Sequence, residues 1–355
     1  MSATPVRVLV AEDSMTVRRR LCEVLEGDAE IQVVGEAGDG SRAIELCREL
    51  RPDVVTMDMM MPVMSGLAAT EFIMAHFPTP ILIVSSSTNR GELFKTYEAL
   101  AAGAIDVLEK PMGYYGDDWD SRFISTVKLV SRIKAITHPR ARLNNYIREP
   151  AQGASVHPSG QLCRVVGIGA STGGPAAIVN VLKAIPGDFP LPILLVLHIG
   201  QPFASAFAEW LDGQTPHRVT YARDGEPVIG VPGRVLMAPA DVHMEVAAGR
   251  VRLTAAPERH SCRPSVDVLF ESLAREYRDA AAACLLTGMG RDGASGLLEI
   301  HRAGGATIAQ DEATSIVYGM PREAILLGAA QRVLPIGEIG SALAALSSSR
   351  FKDRP

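Results

Sequence analysis

The chain has 355 residues, 47% of them hydrophobic and 21% charged, with a formal net charge of −5. That apolar content excludes a disordered chain, and at roughly 100–200 residues per domain it predicts two globular domains, each able to bury its own core. No apolar run approaches the roughly 20 residues of a membrane span, and the first residues lack the basic and apolar regions of a secretory signal. No stretch is basic enough to track a phosphate backbone. Membrane insertion and nucleic-acid binding are therefore not expected. The five cysteines, Cys22, Cys47, Cys163, Cys262 and Cys284, are scattered without a C-x-x-C pair. Such spacing fits reduced thiols and a cytoplasmic location.

In chain order, apolar runs at 6–10, 54–57, 81–84 and 105–108 predict buried strands. Between the first two, residues 14–25 place Val17, Leu21, Val24 and Leu25 on one face of a 3.6-residue period, which predicts a helix. From 137 to 162 the apolar periodicity fades while Pro139, Pro150, Gly153, Pro158 and Gly160 accumulate, as in a linker. Beyond it, strand-like runs return at 165–168, 193–197, 284–286 and 307–309. Strands that are apolar throughout and alternate with helices predict parallel sheets covered on both faces. The expected architecture is two tandem α/β domains, 1–136 and 163–355, joined by the linker 137–162.

In open α/β sheets, functional groups gather at the carboxyl ends of the strands. The residues after the predicted strands of the first domain are Glu12, Asp13, Asp58, Ser85 and Lys110. Three carboxylates meeting at one sheet edge repel one another unless a divalent cation neutralises them, and hard oxygen donors suit Mg²⁺. An aspartate held there can attack a phosphoryl donor, with an ammonium and a hydroxyl to hold the phosphoryl oxygens. Taken alone, Asp13 reads equally well as a helix cap.

The five residues lie in the segments LVAEDS (9–14), MDMMMPVMSG (57–66) and GAIDVLEKP (103–111). Residues 6–130 resemble the receiver domain of bacterial two-component response regulators. The resemblance implies a flavodoxin-like (βα)5 domain with Asp58 as phospho-acceptor. It also implies Mg²⁺ held by Glu12, Asp13 and Asp58 with the Met60 carbonyl, and Ser85 and Lys110 as sensors of the phosphoryl group. Glu12 stands where many receivers have Asp. The stretch 113–123 has no recognised counterpart.

The second domain opens with GIGASTGGP at 167–175, a glycine-rich turn expected between a strand and a helix. A dinucleotide fingerprint needs glycine where Thr172 stands, and a P-loop needs a lysine that is missing. The spacing does fit G-x-S-x-G, which projects a serine hydroxyl beside free backbone amides, although a plain glycine-rich turn reads the same. A serine nucleophile needs a base, and a group to orient that base. Of the eight histidines, only His198 directly follows a buried strand of this domain, and Asp292 lies in a glycine-rich loop after another. The order Ser171, His198, Asp292 differs from the Ser, acid, His order of α/β-hydrolases.

Together with RPSVD at 263–267, TGMGRDGA at 287–294, AQDE at 309–312 and YGMP at 318–321, these residues make 163–345 similar to the catalytic domain of the CheB family of chemotaxis protein-glutamate methylesterases. That family joins a receiver, a linker and a doubly wound, mainly parallel-sheet esterase domain. The resemblance implies Ser171 as nucleophile, His198 as general base and acid, and Asp292 as orienting carboxylate, with Thr172 and the Met289 region shaping the oxyanion site. No cofactor is implied for the esterase reaction.

The implied activity is hydrolysis of γ-glutamyl methyl esters on chemoreceptors, with deamidation of receptor glutamines. A chemotaxis-type histidine kinase is the implied phosphodonor, and phosphorylation at Asp58 is expected to open access to Ser171. One departure is LHIG at 197–200, where the family often has Gln-His-Met-Pro. Two other readings remain open: a phospho-dependent binding module whose esterase has decayed, and a hydrolase of some unrelated small ester.

Overall fold

The computed structural model describes residues 4–86, 89–110, 117–133, 163–230 and 232–347. The expected linker, 137–162, lies outside the described residues. The chain forms two compact units, Met1–Asn145 and Tyr146–Pro355.

The first unit alternates strand and helix: β1 (Val6–Ala11), α1 (Met15–Glu26), β2 (Ile31–Ala37), α2 (Gly40–Leu50), β3 (Val54–Met57), α3 (Gly66–His76), β4 (Ile81–Ser85), α4 (Arg90–Ala101), β5 (Asp106–Glu109) and α5 (Asp117–Ser131). Its parallel sheet runs β2-β1-β3-β4-β5. Four helices start at side-chain caps, with Ser14, Asp39, Ser65 and Asn89 accepting from Val17, Arg42, Ala68 and Glu92 amides. Such oxygens satisfy donors that the first helical turn leaves free.

The strand order reverses at β1, so a crevice opens at the carboxyl ends of β1 and β3. The register pairs Ala11 with Met57, and the Asp58 amide donates to the Ala11 carbonyl at 2.9 Å. Glu12 and Asp58 therefore leave the sheet side by side. Helix α3 closes on this edge so tightly that a Cβ on Gly66 would lie 1.9 Å from the Asp58 carbonyl oxygen.

The second unit contains β6 (Val165–Ala170), α6 (Gly174–Ala184), β7 (Ile193–Leu197), α7 (Phe207–Gln214), β8 (Arg218–Tyr221), β9 (Arg234–Met237), β10 (His243–Ala247), β11 (Arg250–Thr254) and α8 (Val266–Tyr277). It continues with β12 (Ala281–Leu285), α9 (Ala294–Arg302), β13 (Ala306–Gln310), α10 (Met320–Leu326), β14 (Arg332–Leu334) and α11 (Ile336–Ala345). The main sheet is parallel, in the order β14-β13-β12-β6-β7-β9-β8, and β10 and β11 form a separate antiparallel hairpin. Leu285, Phe270, Leu273, Leu194 and Val196 are fully buried in its core. The chain leaves β6 toward β7 and returns to β12 on its other side, so the switch point lies at the carboxyl ends of β6, β7 and β12.

Every strand expected from the sequence is present. The strands without a long continuous apolar run, β2, β8, β9, β10, β11 and β14, are edge strands, hairpin strands or four-residue strands, whose burial is mixed or whose apolar stretch is short. Among the described residues, no helix is long and apolar enough to cross a membrane.

Candidate active site

Strand β6 ends at Ala170, and Ser171 and Thr172 form the turn into α6. Gly173 at the helix entrance has φ +75°, a left-handed conformation that favours glycine. The turn is tied to the loop after β12: the Ser171 amide donates to the Thr287 carbonyl at 3.0 Å, and Thr287 Oγ1 donates to the Thr172 carbonyl at 3.0 Å. Thr287 is itself held by Gln310, whose Oε1 accepts its amide at 2.8 Å.

His198 follows β7, and its amide donates to the Ala170 carbonyl at 3.0 Å, which sets it beside the Ser171 turn. Its Nε2 lies 2.9 Å from Asp292 Oδ2. Three more donors converge on the Asp292 carboxylate: the Val266 amide (2.7 Å), the Ser265 hydroxyl (2.7 Å) and the Asp267 amide (3.1 Å). Asp292 thus caps the N-terminus of α8, where amides and the helix dipole favour a negative charge.

Burial is the largest influence on Asp292 and acts to raise its pKa. The bond and charge of His198, followed by Ser265 and Val266, outweigh burial and leave it below the usual carboxylate range. Burial likewise pulls His198 down, but Asp292 and Cys262 outweigh that and hold it at about 9. Among the described residues no hydrogen bond joins the Ser171 hydroxyl to His198. The second ring nitrogen, Nδ1, instead faces the Cys262 thiol at 3.7 Å. Met289 is 53% exposed. It lines a hollow of about 490 Å³ with His260, Ser261, Cys262, Arg291, Asp292 and Glu323.

In the first unit, Glu12, Asp13 and Asp58 each place an oxygen within 4.8 Å of the others. Lys110 Nζ lies 2.7 Å from Glu12 and 2.8 Å from Asp58. Ser85 is buried at the end of β4, and its carbonyl accepts the Lys110 amide at 2.9 Å. Burial, more than any neighbour, raises the Glu12 pKa even with Lys110 beside it. Burial acts against the Lys110 charge, but Asp58 and Glu12 outweigh it and raise the Lys110 pKa. An all-oxygen cluster with one carboxylate penalised by burial fits a small hard cation such as Mg²⁺. Met60 is exposed, and its thioether accepts from Lys95 Nζ at 3.5 Å. In the unassigned stretch 113–123, residues 113–116 lie outside the described residues, and 117–123 open α5. There Trp119 Nε1 donates to the Glu109 carbonyl at 2.8 Å and the Trp119 ring stacks on Phe123.

The strand-end rule did not reach Ser265, Asp267, His260 or Cys262, which come from the loop and first turn leading into α8. Ser265 carried a readable signal, a serine just before the helical pattern Val266, Leu269, Phe270, Leu273.

A phosphoryl-type acid crevice on one α/β unit and a Ser, His, Asp switch-point crevice on the other define a hydrolase carrying a receiver domain. Comparison with known proteins places it further. Residues 166–343 match the family model described as CheB methylesterase, and residues 8–114 match that of the response regulator receiver domain. The chain is 44% identical over 349 residues, 97% of each chain, to protein-glutamate methylesterase/protein-glutamine glutaminase 2 of Anaeromyxobacter dehalogenans. It is 43% identical over 354 residues to a protein of the same name, without the number, from Nitrosospira multiformis, covering 97% of this chain and 98% of that one. The solved catalytic domain of Thermotoga maritima CheB methylesterase is 37% identical, covers 52% of this chain and 98% of that domain, and gives a TM-score of 0.49. The chain belongs to the CheB methylesterase family. It is an α/β enzyme with an N-terminal receiver, a domain type phosphorylated in an Mg²⁺-dependent reaction.

Proposed function

We propose that the chain hydrolyses γ-glutamyl methyl esters on the helical cytoplasmic region of chemoreceptors, and deamidates receptor glutamines at the same centre, as the names of its relatives suggest. Domain limits of 1–136 and 163–355, with a linker between, go with this reading. So does action in the cytoplasm, where the five cysteines stay reduced. The observation that carries it is the 2.9 Å contact of His198 with Asp292 in the crevice beside Ser171.

With Nε2–H given to Asp292, the lone pair of Nδ1 is the base. Ser171 attacks the ester carbonyl as Nδ1 takes its proton, and methanol leaves with that proton returned. Water then attacks the acyl-enzyme by the same route, with Asp292 holding the tautomer and favouring the transient imidazolium. The backbone amide of Thr172 and those of the Met289 region receive the oxyanion, each worth about 10²–10³ in rate, while the Ser171 amide is held by the Thr287 carbonyl. An amide carbonyl of glutamine presents the same geometry.

In the receiver, Asp58 accepts a phosphoryl group from a chemotaxis-type histidine kinase. Glu12, Asp13, Asp58 and the Met60 carbonyl would hold Mg²⁺, which neutralises charge on the phosphoryl oxygens. Lys110, already paired with Glu12 and Asp58, and Ser85 sense the new group, and phosphorylation favours access to Ser171.

Methanol release from a methylated receptor fragment tests this reading. The Ser171→Ala variant is expected to lose up to roughly 10⁶ in turnover. Equal release from the two proteins would remove Ser171 from the mechanism, and no release from either would exclude the receptor as substrate.

A further inference from the structure

The thiol of Cys262 shares the one nitrogen lone pair that Ser171 needs. It lies 3.7 Å from His198 Nδ1 and 3.4 Å from the His260 carbonyl, the two acceptors its one proton can turn between, and Nε2 of the same ring is held by Asp292. A thiol, an imidazole and a carboxylate in that order form the constellation that makes a cysteine nucleophilic, because the imidazole can take the thiol proton while the carboxylate favours the resulting cation.

The placement is built. Arg259 and Cys262 exchange two backbone hydrogen bonds, at 3.1 and 2.9 Å, across a two-residue turn. Both turn residues, His260 (φ 53°) and Ser261 (φ 59°), adopt the left-handed region without being glycine. Such conformations persist only where the surroundings hold them. Here Arg291 Nε donates to His260 Nδ1 at 3.2 Å, His260 Nε2 lies 3.2 Å from Asp267 Oδ2, and Arg259 makes a two-pronged pair with Glu271 at 2.7 and 2.6 Å. The turn delivers Cys262 to the edge of the 490 Å³ hollow, open to small solutes. The other thiols differ: Cys22, Cys47 and Cys284 are buried, and burial pushes the half-buried Cys163 up to about 11.

We propose that Cys262 is a reversible oxidation site for small hydroperoxides, and that its sulfenic acid switches the esterase off. The second half of the proposal rests on His198 serving as the esterase base. In the step, His198 Nδ1 takes the thiol proton and the thiolate attacks the terminal oxygen of a hydroperoxide. An S–O bond forms and the O–O bond breaks. The leaving alkoxide or hydroxide takes the proton back from His198 and departs as alcohol or water. Sulfur loses two electrons and the peroxide gains them, leaving Cys262–SOH and a neutral imidazole. The sulfenic hydroxyl is a stronger donor than a thiol, so it occupies the Nδ1 lone pair and excludes the Ser171 hydroxyl.

The full chain is treated with hydrogen peroxide in two arms. In the first, a cyclic 1,3-diketone traps sulfenic acid and the labelled peptides are mapped by mass. Label is expected at Cys262 at least tenfold faster than at Cys163, and slowed by His198→Asn. In the second, methanol release is followed without the trap. Wild type is expected to lose activity in step with oxidation of Cys262 and to regain it with dithiothreitol, which does not reduce a sulfoxide formed at Met289. Cys262→Ser is expected to keep the activity of its own untreated sample. Labelling of Cys262 no faster than Cys163 would overturn the site, whatever the esterase does. Fast labelling with undiminished methanol release would leave the site standing and overturn the switch. The Ser171→Ala comparison independently tests the esterase reading.

Discussion

Asp292 Oδ2 stands 2.9 Å from His198 Nε2 and, at the same time, 2.7 Å from the Val266 amide at the start of α8. One carboxylate therefore orients the imidazole and closes a helix terminus. Its charge is stabilised from the fold side before any substrate arrives, which is the preorganisation that a transient imidazolium requires.

Breaking that relationship should damage rate and stability together. Asp292→Asn keeps the shape but turns an NH₂ toward donors already aimed at the carboxylate. Turnover is expected to fall by about 10⁴, as for a wrong imidazole tautomer. Stability is expected to fall by about 1–3 kcal/mol from the donors left unpaired. Ser265→Ala removes both the hydroxyl bond to Asp292 at 2.7 Å and the cap on the Val268 amide at 3.4 Å. It should cost about 1–2 kcal/mol with a smaller loss of rate. Urea midpoints at constant slope report the stability, and methanol release reports the rate. Midpoints equal to wild type in both variants would separate the carboxylate from α8.

The pH dependence follows from His198, held at about 9 against an ordinary 6.5. With the neutral imidazole as the proposed base, the esterase rate is expected to climb with pH and level only above about 9. For folding, the raised value means that the native state binds the proton more tightly than the unfolded chain. That stabilisation is complete below the unfolded value and is lost as pH rises through about 9. Cys262 is one of the groups holding the value up, so Cys262→Ala should move the rate profile toward lower pH. An unmoved profile would leave Asp292 alone in control.

The strand-end rule groups these residues because both units turn after strands whose carboxyl-terminal halves are fully buried. Ser171, His198 and Asp292 each follow such a strand, as do Glu12 and Asp58, and their pairings follow from the parallel registers Ala170 with Leu197 and Ala11 with Met57. What the rule cannot reach is a partner brought in from elsewhere. Cys262 is 64 residues from His198 and sits on a turn held by Arg259 with Glu271, and by Asp267 and Arg291. The β10–β11 hairpin is a different omission. Its alternation, Met244 and Val246 against Val251 and Leu253, is present in the sequence, but a strand buried on one face carries no continuous apolar run.

Metal dependence should separate the two units. Lys110 supplies one positive charge to Glu12 and Asp58, at 2.7 and 2.8 Å, which offsets their repulsion in the unphosphorylated state. A phosphoryl group on Asp58 adds further negative charge to an already acidic crevice, and Lys110 alone cannot neutralise it. Removing Mg²⁺ with a chelator is therefore expected to abolish phosphorylation of Asp58 by acetyl phosphate while leaving the methanol release of the unphosphorylated protein unchanged. Asp58→Asn should abolish labelling with or without Mg²⁺ and remove any stimulation of the esterase by the phosphodonor. If chelation instead lowered methanol release in Asp58→Asn, the responsible metal would lie in the second unit. His198, Cys262 and Asp292, whose nitrogen, sulfur and oxygen lie within 4.8 Å of one another, would then be the place to search for it.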